Sequence, residues 1–551
     1  MDARRCVGTD SCRGGCLECS AGVLSSDGIL CPRRRVPVLC QTCGSGAAER
    51  LWSVHEDQLA YFQYVLGPAL LDFLLARKSD ADASLLGPQQ QATLVWLAEN
   101  LAALEAEDPR LPMALARRQG EQGLSMAWTL RSLSGAPPPS LDAHDPVARD
   151  LQAVARDCYP ALLGPADLML QVGPGRAVPA APTEIGLAQL AGGHAKAPAL
   201  DAGLAELTQS APTMAVVAAG LSVDLRVSTE DVLSAALRRR QHAVDQGPGA
   251  FMHMAVEVLD EIRRLVAGET VQVAALIGFV GLPLGELGPR QLPGGTLRAA
   301  TESESGYAPF SLLADGVLVT TVPARACAPE EVEHQWIADQ EKRLIDAARE
   351  VILGAALGSP EPVPHTCPAV AWTTVLPPLG ISSAMRPLHP AGPPLGRRQP
   401  LLTPEELAGL EHWARMLAQV DLSPVAIGID RLLRALWELE PTDSLIDAVI
   451  TWENLLGTRS ETVFRVTAAL AVLCVDDPDQ RLGARKRLGK VYDARSRLVH
   501  GEPPPDSVHE QRAEAVRVAL EALRRLIRDR PDLLALRESS ARTDRLLLAV
   551  G

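Results

Sequence analysis

Apolar positions recur at three- and four-residue steps along most of the chain, the pattern of helices that bury one stripe. Residues 51–268 read this way, with "LWSVHEDQLAYFQYVLGPALLDFLLARK", "QQQATLVWLAENLAALEAE" and "AFMHMAVEVLDEIRRLV" as helices joined by Pro/Gly-rich loops. The stretches 135–150 and 164–200 carry no clear period. The pattern shortens over 269–358, where "VQVAALIGFVGL" and "GVLVTTVPA" predict short strands on either side of a Gly-rich polar segment. A helix then enters at Pro329 with two glutamates in its first turn, as helix starts favour.

Residues 359–400 interrupt everything with eleven prolines. Proline removes a backbone donor and fixes φ, so this stretch predicts an extended connector or wrapped arm rather than a helix or central strand. Helical periodicity returns at 401–551 and holds to the end. Thr403, Pro404 and Glu406 spell an N-cap, a first helical residue and the reciprocal capping-box acid. Five further segments follow, from "SPVAIGIDRLLRALWELE" to "DSVHEQRAEAVRVALEALRRLIRD", each with start and stop signals and short loops. They predict a compact all-α bundle.

Composition agrees with this mainly α reading. Apolar residues make up 47% of the 551, yet aromatics only 3%, so cores are packed with Leu, Val and Ala, of which Leu and Ala are strong helix formers. A chain of this length divides into two to four domains. The net charge of -14 argues against a protein that coats nucleic acid over its whole surface, while leaving room for a local basic site. The start shows no signal-peptide pattern and no run approaches the roughly 18 apolar residues of a membrane span. A cytoplasmic protein without a membrane partner is the expectation.

In a reducing compartment clustered cysteines point to metal rather than disulfides. Seven of the eleven fall in the first 43 residues, in a module (1–48) without helical period. Cys16, Cys19, Cys40 and Cys43 form two C-x-x-C knuckles with 20 residues between them. Such a pair places four thiolates around one tetrahedral Zn²⁺, in the manner of a zinc ribbon, a structural rather than catalytic metal. Cys6, Cys12 and Cys31 remain over, so a second site, ligand exchange or another ligand set stays open. Arg33 to Arg35 form a basic tip, read equally well as a phosphate contact or as a solvated loop.

The charge pattern inverts in one place. Residues 481–497 hold Arg481, Arg485, Lys486, Arg487, Lys490, Arg495 and Arg497 against a single acid, Asp493. Phosphate is the natural partner of such a cluster; a solvated helix face is the plainer reading. It is not a P-loop, because five residues separate Gly483 from Gly489 and Val491 follows Lys490 in place of Ser/Thr. Gly501 and three prolines then end the helix, leaving His500 at its C-terminal edge. Arg495 and His500 diverge by about 140° on a regular helix, so a bend or a second subunit is required to bring them together. Glu453 shares a helical side with Ile446, Val449, Ile450 and Leu456; if buried, it needs an Arg or His partner, and otherwise it snorkels to solvent.

"DSLIDAVITWENLLG" followed by "YDARSRLVHG" resembles HEPN domains, in particular their ApeA-like branch, over about residues 403–530. The stretch "AMRPLHPAGPPLG" shares the likeness more weakly. Arg495-Ser-Arg-Leu-Val-His500 matches that family's arginine, spacer and histidine; Ser496 matches the polar residue often found after the arginine, and Glu453 the acidic helix position. The resemblance implies a dimeric endoribonuclease that needs no metal for catalysis, often found in phage-defence or toxin systems. In it Arg495, His500, Glu453 and Ser496 form the catalytic set. Arg481, Arg485, Lys486, Arg487, Lys490 and Arg497 would guide RNA. A homodimer through the bundle is implied, with a phage-derived or cellular trigger acting through residues 51–400. Some HEPN domains are inactive scaffolds, so a non-catalytic interaction or ligand-sensing protein is the competing expectation.

Overall fold

The computed structural model describes most of residues 59–548, with breaks of which 380–400 is the longest. The cysteine module, with Cys16, Cys19, Cys40 and Cys43, lies outside the described residues, as does the second half of the proline-rich segment. The described part is mainly helical with a small antiparallel sheet. No helix among the described residues is long and apolar enough to cross a membrane.

The first helical region includes α1 (Pro146–Cys158), α2 (Thr229–Gln241) and α3 (Pro248–Val266). Their starts are set locally. The Asp145 carboxylate accepts from the N–H groups of Val147 and Ala148, and Ser228 with Asp231 forms a full capping box. Leu151, Val154, Leu233, Phe251, Val258 and Ile262 fill the core between these helices.

The sheet comprises β1 (Ala215–Ala218), β2 (Leu221–Asp224), β3 (Val271–Val280), β4 (Arg290–Leu292), β5 (Gly295–Ala299), β6 (Gly316–Cys327) and β7 (Ala369–Val375). Strands run in the order β2-β1-β6-β3-β7, and the β4/β5 hairpin joins through β5 to β6. The two strands predicted by pattern are β3 and β6, paired from Val271 with Ala324 to Phe279 with Gly316. Two findings differ from the sequence reading. Ala215–Ala218 and Leu221–Asp224, inside the stretch read as helices and loops, pair antiparallel as β1 and β2, and the proline-rich segment supplies β7. Residues 369–375 contain no proline, and Pro368 and Pro377 flank them, so the strand fits between breakers and occupies a sheet edge. All seven of its residues are buried.

A buried ionic cluster pins the sheet to the end of α2. Arg298 makes a two-pronged bond to Glu304 at 2.7 and 2.8 Å, and His242 Nδ1 lies 2.9 Å from the same carboxylate. Burial alone would raise the Glu304 carboxyl, but the hydrogen bonds from Arg298 and His242 hold it down to about 2.

Helix α4 (His334–Gly358) begins at an Glu333 cap, later than the Pro329 entry expected, and leads to the C-terminal bundle. This comprises α5 (Pro404–Leu417), α6 (Ala426–Trp437), α7 (Pro441–Leu456), α8 (Thr462–Cys474), α9 (Pro478–Val499), α10 (Val508–Arg528) and α11 (Ser539–Leu548). The Thr403/Glu406 capping box forms as read. Helices α4 and α5 approach closely where Gly358 meets Gly409: a Cβ on Gly358 would lie 2.6 Å from the Gly409 carbonyl carbon. Arg524 of α10 completes the junction by donating to the carbonyls of Leu357 at 2.9 Å and Ser359 at 2.8 Å. The bundle core is Leu445, Val449, Trp452 and Leu456 of α7 against Val491, Val516, Leu520 and Leu523. Trp452 is fully buried and its Nε1 donates to Ala515 O at 3.1 Å; truncating such a residue costs about 3–5 kcal/mol.

Candidate functional site

The site is built where α7 and α9 meet. The last turn of α7 is held from outside by α11. Arg542, 1% exposed, donates to the carbonyls of Leu455 at 2.6 Å and Asn454 at 2.7 Å, and Thr543 Oγ1 donates to Leu456 O at 2.6 Å. These are carbonyls that a helix end leaves without partners. Glu453, in the same turn, is thereby fixed with its side chain toward α9. An Arg-Thr pair in the last helix carries no sequence signal for this role.

Glu453 is half-buried and has two partners on α9. The Tyr492 hydroxyl donates to its Oε1, and Arg495 Nη2 donates to its Oε2 at 3.5 Å. The sequence reading anticipated a cationic partner for this acid and missed the tyrosine, which precedes Arg495 by three residues and so shares its helical side. Burial, the hydrogen bond to Glu453 and that carboxylate's charge push the Tyr492 phenol above its ordinary range, so it serves as a donor. The Arg495 guanidinium carbon lies 6.0 Å from the Tyr492 ring centroid. Arg495 is thus oriented by an acid on one side and an aromatic face on the other. Its Nε is buried without a hydrogen-bond partner among the described residues.

His500 stands apart from this group. Helix α9 is regular through Val499, and His500 is its C-cap. Glu502 N–H bonds to Arg497 O and Gly501 N–H to Leu498 O, both at 3.0 Å, with Gly501 at φ 80°; together they form a Schellman stop. The helix is unbroken up to this stop, and His500 is exposed about 140° around the axis from Arg495. Ser496 is half-buried, and its carbonyl accepts from the His500 N–H at 3.1 Å.

The basic cluster divides into two. Arg481 donates to Val475 O at 3.0 Å and Arg485 lies over the Phe464 ring at 5.0 Å, so both serve the packing of α9 on α8. Arg497 pairs with Glu502 at 2.6 Å across the helix end. Lys486, Arg487 and Lys490 are left without an ion pair among the described residues, and Lys486 and Lys490 lie about 140–180° around α9 from Arg495. Within one chain, then, Glu453, Tyr492 and Arg495 form one group, and the free lysines another. Among the described residues no group of three or more His, Cys, Asp or Glu could hold a metal ion. No family model matches the chain, and neither does any curated protein or solved structure.

Proposed function

We propose that the C-terminal bundle is a metal-independent endoribonuclease of the HEPN kind that acts as a homodimer. The observation that carries this reading is the Glu453–Arg495 pair, with Tyr492 behind it, at the partly open α7–α9 crossing. Arg495 binds the scissile phosphate and stabilises the charge it gains. His500 takes the proton from the attacking 2′-hydroxyl and returns one to the leaving 5′-oxygen, giving a 2′,3′-cyclic phosphate and a 5′-hydroxyl. Because an unbroken α9 keeps His500 away from Arg495, the second copy completes the cleft. Val499, one turn beyond Arg495 on the same side, is 54% exposed and offers an apolar contact for that copy. Lys486, Arg487 and Lys490 steer the RNA backbone toward the dimer. In this reading the protein is a cytoplasmic phage-defence or toxin-type effector, restrained by its earlier regions until a trigger arrives. The N-terminal cysteines hold a structural zinc.

A second reading is a non-catalytic scaffold or ligand-sensing protein. The engagement of Arg495 by Glu453 and Tyr492 favours it, since the same three residues would serve as a packing pin. Cleavage of RNA in EDTA separates the two. Wild type is expected to leave cyclic-phosphate ends and to slow growth when triggered, with both effects lost in His500→Ala. No cleavage and no growth defect by wild type, even during phage infection, would sink the nuclease.

A further inference from the structure

Outside the bundle, the first helical region borders an open pocket of about 550 Å³, lined by residues at 116–119 and 123–125, the end of α1 and the loop at 193–196. That volume suits a small organic ligand. Two of its walls carry polar groups that the fold itself does not satisfy. Ser125 precedes the helix Met126–Leu133, yet its hydroxyl makes no capping bond; it is 5% exposed, and its Oγ has no partner among the described residues. Buried hydroxyls nearly always have a partner, so an unpaired one facing a cavity points to a missing acceptor.

The second is Arg156. Its side chain is 13% exposed, and its Nε donates to Asp157 Oδ1 at 3.0 Å. Asp157 Oδ2 is taken by His194 Nε2 at 3.2 Å. This fixes the guanidinium plane while its two terminal amino groups make no hydrogen bond or ion pair among the described residues. Lys196 lines the same space and pairs with Asp150.

Ser125, His194 and Asp157 have the composition of a nucleophile triad, but the geometry rules that out. His194 Nδ1 accepts from the Lys196 N–H at 3.2 Å, and Nε2 is on Asp157, so no ring nitrogen is left to take a proton from Ser125. Cys158 is 2% exposed and burial pushes its thiol far up, so it is no nucleophile either.

We propose that this cavity binds a small phosphate ester, whose dianionic phosphate is held by the open fork of Arg156 and the hydroxyl of Ser125. A fixed guanidinium fork plus a hydroxyl from a different element suits a tetrahedral dianion better than a planar carboxylate. The site is independent of the nuclease reading, and its test involves no RNA.

Titration calorimetry on the full chain would use inorganic phosphate, AMP and succinate. Inorganic phosphate tests the anchor alone, AMP the whole cavity and succinate a carboxylate of equal charge. Saturable binding of AMP and phosphate is expected, weakened roughly tenfold or more in Ser125→Ala and in Arg156→Lys, which keeps the charge but loses the fork. Ser125→Ala without ligand should melt no lower than wild type, because no bond is lost. Failure of both phosphate probes to bind, tighter binding of succinate than AMP, or affinities unchanged in both variants would each overturn the proposal.

Discussion

At the scale of single residues, the candidate site depends on pairs whose members lie far apart in the chain. Tyr492 and Glu453 are 39 residues apart, and neither position alone signals the contact. Removing the hydroxyl in Tyr492→Phe should cost about 1–3 kcal/mol in urea denaturation, as expected for a partly buried bond to a charged acceptor. Glu350 on α4 is a second residue of note. Its Oε1 is buried without a partner among the described residues, and burial pushes its carboxyl from 4.5 up to about 7. A carboxyl raised in the folded state contributes its full stability below its ordinary pKa and loses it as pH rises through about 7. Glu350→Gln, neutral at every pH, should therefore match wild type near pH 4.5 and gain stability by pH 8. Solvent screening of this half-buried group limits the gain to about 1 kcal/mol. Equal stabilities at pH 8 would show that Glu350 is well solvated.

At the scale of elements, the sequence reading succeeded where a signal is satisfied within a few residues. The Thr403–Pro404–Glu406 start of α5 and the Gly501 stop of α9 are of this kind, because cap bonds close locally. It fell short where pairing decides. Residues 215–224 are too brief and too apolar to distinguish hairpin from loop without their partner β6. Strand β7 was obscured by the prolines around it, although its seven residues contain none. The meeting of α4 and α5 is likewise invisible in one segment alone, since Gly358 and Gly409 matter only to each other. Gly409→Val puts side-chain atoms where the Gly358 carbonyl oxygen lies 2.7 Å from a bare Cβ. Forcing the helices apart should cost about 1–3 kcal/mol or more and lower the thermal midpoint by several degrees.

At the scale of the whole molecule, the unbroken run of α9 governs the functional question. It leaves Arg495 and His500 on different sides of one helix, so the proposed chemistry requires two copies of the chain. Val499→Glu, which puts a charge on the exposed apolar position beside the site, should convert a dimer to a monomer in sedimentation velocity and abolish RNA cleavage together. A monomeric wild type that still cuts RNA would break that link. The sequence by itself determined the helical character, the Thr403 start of α5 and the Gly501 stop of α9, the two longest strands and the local inversion of charge, because periodicity, caps and charge are properties of neighbouring residues. Only the tertiary structure decided that Arg481 and Arg485 serve packing, that Tyr492 and Arg495 share Glu453, and that Ser125 and Arg156 face one cavity. Those outcomes depend on which helices and strands come together, and contacts between residues dozens of positions apart leave no period to read.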